Sequence, residues 1–271
     1  MQEKNIKVSI ITVCRNSENT IEKTITHVIN QTYQNIEYII IDGQSEDGTL
    51  GIIDNYRDHI RYIISEKDNG VYDAMNKGLK LASGELIGIT NSDDWYEFDT
   101  IEKIVDFYEK SNGEIDFLYG NINVFYKEIL LFKEEPRPKA FLCFMPAIPH
   151  PSVFIKGNIY KKYHFDTHYK AGADYDLILK LYKKKYVFKN THLTLSNYRL
   201  GGFSESNALI SFKESMIISL KNSNALSFLP ILILKISLKL LSPFYRYHMM
   251  KNVKKSLKKY DDCAGFTPNL K

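Results

Sequence analysis

Cysteine is scarce in this 271-residue chain. The three present, Cys14, Cys143 and Cys263, are far apart and odd in number. Neither a disulfide framework nor a thiolate metal site is expected from that spacing, and a reducing compartment fits it. No apolar run reaches the roughly 18–20 residues that cross a bilayer. Residues 1–7 are polar and lack the apolar centre of a secretory leader, so the expected location is cytoplasmic. Glycine is missing where phosphate-cradling folds need it. The loop Cys14-Arg15-Asn16-Ser17-Glu18 has none, and no Gly-x-Gly-x-x-Gly follows a strand. That argues against a dinucleotide-dependent dehydrogenase and against a sugar nucleotidyltransferase with its Gly-rich triphosphate loop. Acidic residues are absent from 226–260, which carries Lys235, Lys239, Arg246, Lys251, Lys254, Lys255, Lys258 and Lys259. The whole chain is only +4, so a basic end is attached to an acidic body and an anionic partner is expected at that end alone.

What is present reads as alternating strand and helix. Apolar runs at 7–13, 36–41, 60–64, 86–89 and 115–119 alternate with helical patterns at 17–31, 49–57, 71–82 and 100–110. This order predicts an α/β fold, a Rossmann-like and mostly parallel central sheet with flanking helices. Ligands on such sheets bind beyond the carboxyl ends of the strands, so the informative loops follow residues 13, 41, 64 and 89. After residue 120 the pattern changes to a hairpin, 121–125 and 129–132 around Lys127-Glu128, then a proline-punctuated stretch. A helix over 174–184 and a strand over 187–198 follow. The division expected is 1–120 as a donor-binding half, 121–225 as an acceptor-binding half of the same domain, and 226–271 as a helical tail. In that tail Lys235, Lys239, Ser242 and Arg246 form one polar stripe on an otherwise apolar helix. A basic amphipathic extension of this kind suits the interface of an anionic membrane; packing on the body or a homodimer contact is the other reading.

Two loops carry chemistry. Asp42 ends the second strand, where its carboxylate can accept a hydrogen bond from a base imide; a plain Asp- and Gly-rich turn accounts for it equally. Asp93-Asp94 ends the fourth. Adjacent carboxylates after an apolar run are costly unless they bind something, and a hard divalent cation takes carboxylate and phosphate oxygens together. A helix cap is the alternative. Trp95 follows, a candidate for stacking on a sugar ring.

The ordered blocks Val8 to Asn16, Gln31 to Glu37, Asp42 to Thr49, Glu66 to Gly78 and Asn91 to Asp94 resemble glycosyltransferase family 2, the inverting family with the nucleotide-sugar-binding A-type fold. The resemblance covers roughly residues 6–205. It implies a transferase using a nucleotide-diphosphate sugar, a UDP-sugar, with Mn²⁺ or Mg²⁺, and a glycan or lipid-linked acceptor rather than nucleic acid. It assigns Val13, Arg15 and Asp42 to the nucleobase, Asp68 to the nucleoside and Asp93 to ribose or metal. Asp94 is then the direct metal ligand and Asp174 the general base, with Asp176 as competitor. Apart from the resemblance, His150 is placed to reach acceptor or sugar, a structural histidine being the other reading, and Gly201-Gly202-Phe203-Ser204 reads as a mobile flap over the donor or as a flexible connector. Three positions depart from the family pattern: Arg15 stands for an aromatic, Ala173 for a Glu and Ser92 for an Asp. No Gln-x-x-Arg-Trp follows Asp174, so a single, non-processive transfer at the cytoplasmic face of the plasma membrane is the expectation. The retained Asp42, Asp93, Asp94 and Asp174 argue against a decayed carbohydrate-binding scaffold.

Overall fold

A computed structural model describes residues 6–202 and 207–222. The expected tail helices at 226–260, and the flap residues 203–206, lie outside the described residues. The elements are β1 (Val8–Cys14), α1 (Ile21–Ile29), β2 (Ile36–Asp42), α2 (Thr49–Asp54), β3 (Tyr62–Ser65), α3 (Val71–Leu81), β4 (Leu86–Asn91), β5 (Trp95–Tyr96) and α4 (Thr100–Glu109). Then come β6 (Phe117–Tyr126), β7 (Ile129–Glu134), β8 (Phe154–Lys156), α5 (Gly157–Lys162), α6 (Ala173–Lys183), β9 (Phe188–Arg199) and α7 (Ala208–Asn222).

The nine strands among the described residues join one sheet in the order β3-β2-β1-β4-β8-β6-β9-β5, with β7 on β6. β1 pairs in parallel with β2 and β4, and β2 with β3. β8 runs antiparallel to both β4 and β6, and β6 runs parallel to β9. Six strands therefore share a direction, and their carboxyl ends gather at one end of the sheet.

Burial explains the run of β1. Every residue from Val8 to Cys14 is buried, as expected of a central strand covered on both faces. The side chains alternate. Ile10 and Ile40 pack with Ile21 and Ile25 of α1 and Ile101 and Ile104 of α4. Ile11, Ile39 and Ile41 face Met75 and Leu79 of α3 and Leu177 and Leu181 of α6. Each such Ile or Leu removed from water contributes about 1.5–3 kcal/mol.

The fold corrects the sequence reading in four places. The expected fifth strand and the first arm of the hairpin are one strand, β6. Gly120 looks like a break, but the chain runs through it with register shifts against β9. A Cβ there would overlap the Leu193 carbonyl, so glycine admits the neighbouring strand. The 120/121 division thus falls inside a strand. β8 with α5, the two-residue β5 and α7 were not foreseen, because each is too short or too weakly periodic to stand out in sequence.

One polar buried residue ties the sheet to a distant loop. Glu37 on β2 accepts from Ser9 Oγ (2.5 Å), Ser83 N–H (2.7 Å) and Ser83 Oγ (2.8 Å). Burial alone would raise its pKa, but these hydrogen bonds, first that from Ser9, hold it below the ordinary value. A depressed carboxylate stabilises the fold above the usual glutamate range and loses that contribution as pH falls through its lowered value. Glu37→Ala should cost about 2–3 kcal/mol in urea unfolding, since three donors lose their acceptor, one of them the buried Ser9 hydroxyl. The gap from wild type should close on acidification; a gap independent of pH would refute the assignment.

Candidate active site

The carboxyl ends of the strands surround a cleft of about 820 Å³. Its floor is set by how the first two loops interlock. Asn16 N–H donates to Ser45 Oγ (2.8 Å), and Glu46 N–H donates back to Asn16 Oδ1 (2.9 Å). Ser17 N–H reaches Thr49 Oγ1 (2.7 Å), and Gly48 N–H reaches Glu18 Oε2 (2.8 Å). Ser17 Oγ also bonds Ser92 Oγ (2.7 Å), which joins the loop after β4 to the same set. Short polar side chains thus satisfy loop N–H groups that helices and sheet leave over.

Seven of the expected residues line the cleft: Val13, Arg15, Asp68, Asp93, His150, Asp174 and Gly202. Asp68 Oδ1 accepts from Gly70 N–H (2.9 Å), and its other oxygen lies where a Cβ on Gly43 would be. Glycine at position 43, in the loop after β2, therefore lets the Asp68 carboxylate approach the backbone. Gly202 does the same for Asp93, whose Oδ2 occupies the space a Cβ at 202 would need. His150 arrives from the start of β8, since an antiparallel strand presents its beginning, not its end, at this rim. Burial lowers its pKa and the Asp174 carboxylate raises it; the net shift is down, so the imidazole is neutral at pH 7.

Asp174 opens α6 and is held from across the cleft by Tyr72 of α3, whose hydroxyl donates to Asp174 Oδ1 (3.0 Å). Burial and this neighbouring carboxylate push the Tyr72 phenol well up, so it stays a donor. Asp176 is not on the cleft wall; it pairs with Lys180 (3.6 Å) one turn along the helix. Between the two candidates for a base, only Asp174 has access to the cleft.

Three more of the expected residues are placed off the cleft wall. Asp42 is fully buried, not on the wall. Its oxygens accept from Ser45 N–H (2.9 Å), Ser45 Oγ (2.5 Å) and Ser65 Oγ (2.6 Å), so it organises the loop that follows β2 instead of presenting an acceptor to a base. Asp94 is also fully buried. Its Oδ1 accepts from Arg199 N–H (3.1 Å) at the end of β9, and Asp93, not Asp94, turns to the cleft. Trp95 is core: it lies under Lys23 Nζ at 3.7 Å, with Arg199 at 5.3 Å and Phe125 at 5.0 Å, and offers no face to a sugar. Cys14 is a wall residue, but burial and Asp42 push its thiol far up, which excludes a thiolate nucleophile.

The donor set suits a hard cation. Burial raises the pKa of Asp93, and burial followed by the Asp93 charge raises that of Asp94 well above the carboxylate range. Asn91, also on the wall, has a buried Oδ1 with no hydrogen-bond partner. A desolvated carboxylate beside an orphaned carbonyl oxygen is what Mg²⁺ or Mn²⁺ would satisfy. Among the described residues no three His, Cys, Asp or Glu cluster to cage an ion. A cation held by one or two protein oxygens completes its shell with water and substrate phosphate.

The family model described as Glycosyl transferase family 2 matches residues 9–178. The chain belongs to that family. Its similarity to the UDP-Glc:alpha-D-GlcNAc-diphosphoundecaprenol beta-1,3-glucosyltransferase WfgD of Escherichia coli is 36% identity over 118 residues, 43% of this chain and 46% of WfgD. The chain thus spans about half the length of that relative. Among solved structures, TarS 1–349 of S. aureus in complex with UDP-GlcNAc matches with a TM-score of 0.63 at 19% identity, covering 79% of this chain and 64% of TarS. The mannosyltransferase PcManGT of Pyrobaculum calidifontis, in complex with GDP-Man and Mn²⁺, matches with a TM-score of 0.63 at 16% identity, covering 98% of this chain and 82% of that one. At these identities the two structures establish a shared fold, the A-type α/β fold of the family.

Sequence reasoning missed Tyr72 and Asn91 as wall residues of consequence. Both lie in the family-like blocks, at 66–78 and 91–94, and that placement was the available signal. Asp93→Asn removes one of two adjacent desolvated carboxylates. Without added metal it should raise the melting temperature by about 2–4 °C, the shift that roughly 1 kcal/mol produces in a domain of this size. It should also abolish the further rise that Mn²⁺ brings to the wild type. An unchanged Mn²⁺ response would remove Asp93 from the cation site.

Proposed function

We propose that the chain is an inverting glycosyltransferase that moves one sugar from a nucleoside-diphosphate sugar, a UDP-sugar, to an acceptor hydroxyl. The reading rests on one observation: a single cleft at the carboxyl end of the sheet has Asp93 on one wall and Asp174 on another. Family membership supports the donor class, and so do the nucleotide sugars held by TarS and PcManGT.

In this proposal Asp174 is the general base. Tyr72 engages Oδ1 and fixes the carboxylate, leaving Oδ2 to take the proton of the acceptor hydroxyl. The deprotonating oxygen attacks the anomeric carbon, and the nucleoside diphosphate leaves from the opposite face, so one displacement inverts the configuration. A carboxylate is a weak base, and its contribution depends on being held within reach of that proton. Neutral His150 stands near Asp174 without competing for the charge. Val13, Arg15 and Asp68 form the nucleotide wall, and Arg15, which is exposed, suits diphosphate better than base stacking. A Mn²⁺ or Mg²⁺ ion held by Asp93 and Asn91 would supply charge neutralisation for the departing diphosphate.

The acceptor side follows from chemistry at a distance. WfgD acts, by its name, on a diphosphoundecaprenol-linked sugar, which favours a lipid-linked or surface-glycan acceptor here. The basic, acid-free segment 226–260 would bring the chain to an anionic membrane as a peripheral protein on the cytoplasmic face. No described helix is long and apolar enough to cross a membrane.

A panel of UDP-sugars screened by thermal shift with Mn²⁺ should pick the donor, since a ligand of the folded state raises its melting temperature. With that donor, Asp174→Asn should fold and bind as wild type while transfer falls by about 10²–10⁴-fold. Undiminished transfer by Asp174→Asn would end the assignment of the base.

A further inference from the structure

Resting on Asp174 as the base, we propose that Glu214 of α7 is a positioning residue for it, and that α7 is a brace on the catalytic helix. The helix α6 begins immediately after Gly172, which has no side chain with which to cap it. The turn before it is held from outside instead. Glu214 Oε1 accepts from Lys170 N–H at 2.8 Å, and Glu214 Oε2 accepts from Ala171 N–H at 2.9 Å. Both oxygens of one carboxylate thus grip two consecutive backbone amides, within four residues of Asp174. Charge-assisted bonds of this kind are about twice as strong as neutral ones.

Packing reinforces the grip. A Cβ placed on Gly172 would meet Glu214 Cβ and Ile218 Cδ1 at 3.1 Å each, so one face of α7 presses directly on the residue that starts α6. Ile218, one turn after Glu214, is fully buried in the core that also holds Ala173 and Tyr175. Lys221 Nζ adds a contact to Tyr169 Oη at 3.3 Å. Asp174 is therefore fixed from two independent elements: Tyr72 on α3 holds its side chain, and α7 holds the backbone that carries it. Glu214 does not line the cleft; it acts through the loop and, more weakly, through its charge on Tyr72.

Removing the carboxylate leaves the Lys170 and Ala171 amides to water at a half-open surface. The fold should survive while the start of α6 loosens. A displacement of about 1 Å at a base costs on the order of 10²-fold in rate.

The test compares wild type, Glu214→Ala, Glu214→Gln and Gly172→Ala with the UDP-sugar chosen above. Gly172→Ala keeps the carboxylate but brings a Cβ to 3.1 Å from Glu214 Cβ and Ile218 Cδ1, so α7 must give by a few tenths of an ångström, and it serves if the Glu214 variants prove unstable. The expected result is a kcat lowered about 10- to 100-fold in Glu214→Ala and Gly172→Ala, with donor affinity within twofold of wild type. Glu214→Gln, which keeps one acceptor oxygen, should recover part of the rate. Amide exchange at Lys170 and Ala171 should accelerate in Glu214→Ala while exchange in β1 and β2 does not. A folded Glu214→Ala with wild-type kcat, or with kcat and donor affinity falling together, overturns the proposal. A wild-type protein that transfers no sugar overturns the transferase reading alone; the exchange measurement then decides the Glu214 contact by itself.

Discussion

Two carboxylates side by side at the end of a buried strand dominate the energetics of this protein's working end. Asp93 and Asp94 follow the apolar β4, and desolvation disfavours the charge on both. The structure divides their roles. Asp94 is folded inward and spends an oxygen on the Arg199 N–H, which ties the end of β9 to the end of β4. Asp93 is left facing the cleft, against the backbone of Gly202 and beside the unpartnered Asn91 Oδ1. In the proposed reading, a cation and a diphosphate would offset the desolvation of that pair. The cost of burying the pair in their absence is the kind of local instability that binding sites retain.

Around this pair the molecule is built by stitching loops together. The loop after β1 and the loop after β2 exchange hydrogen bonds in both directions, and Ser17 to Ser92 carries the stitching to β4. Asp42 belongs to this framework. It has the residue type and the place in the chain of a ligand contact, yet its oxygens are consumed by Ser45 and Ser65. A carboxylate in a Gly- and Ser-rich turn is always a candidate for both roles, and neighbours three residues on and twenty-three residues on decide which it plays.

Asp174, the proposed base, is held differently from Asp93. Asp174 has no charged partner in hydrogen-bonding range; it has a phenol, a neutral imidazole nearby and a helix start that another helix braces. The Tyr72 hydroxyl orients the carboxylate through a neutral hydrogen bond.

The alternation of apolar runs and helical patterns in residues 7–110, with Asp or Asn at strand ends, was enough to specify a parallel sheet and to say at which end the site lies. That works because a strand buried on both faces can hardly be written in any other residues, and because parallel strands send all their carboxyl ends one way. The five ordered blocks were likewise legible, and of the two residues expected as base Asp174, not Asp176, lines the cleft. What the tertiary structure alone decided is which way side chains turn. Asp93 and not Asp94 faces the cleft, Trp95 is sealed under Lys23 and Arg199, His150 reaches the rim because β8 runs backwards, and Tyr72 meets Asp174 from another helix. Direction in a loop is settled by hydrogen bonds and packing to residues remote in sequence, and periodicity carries no record of those partners.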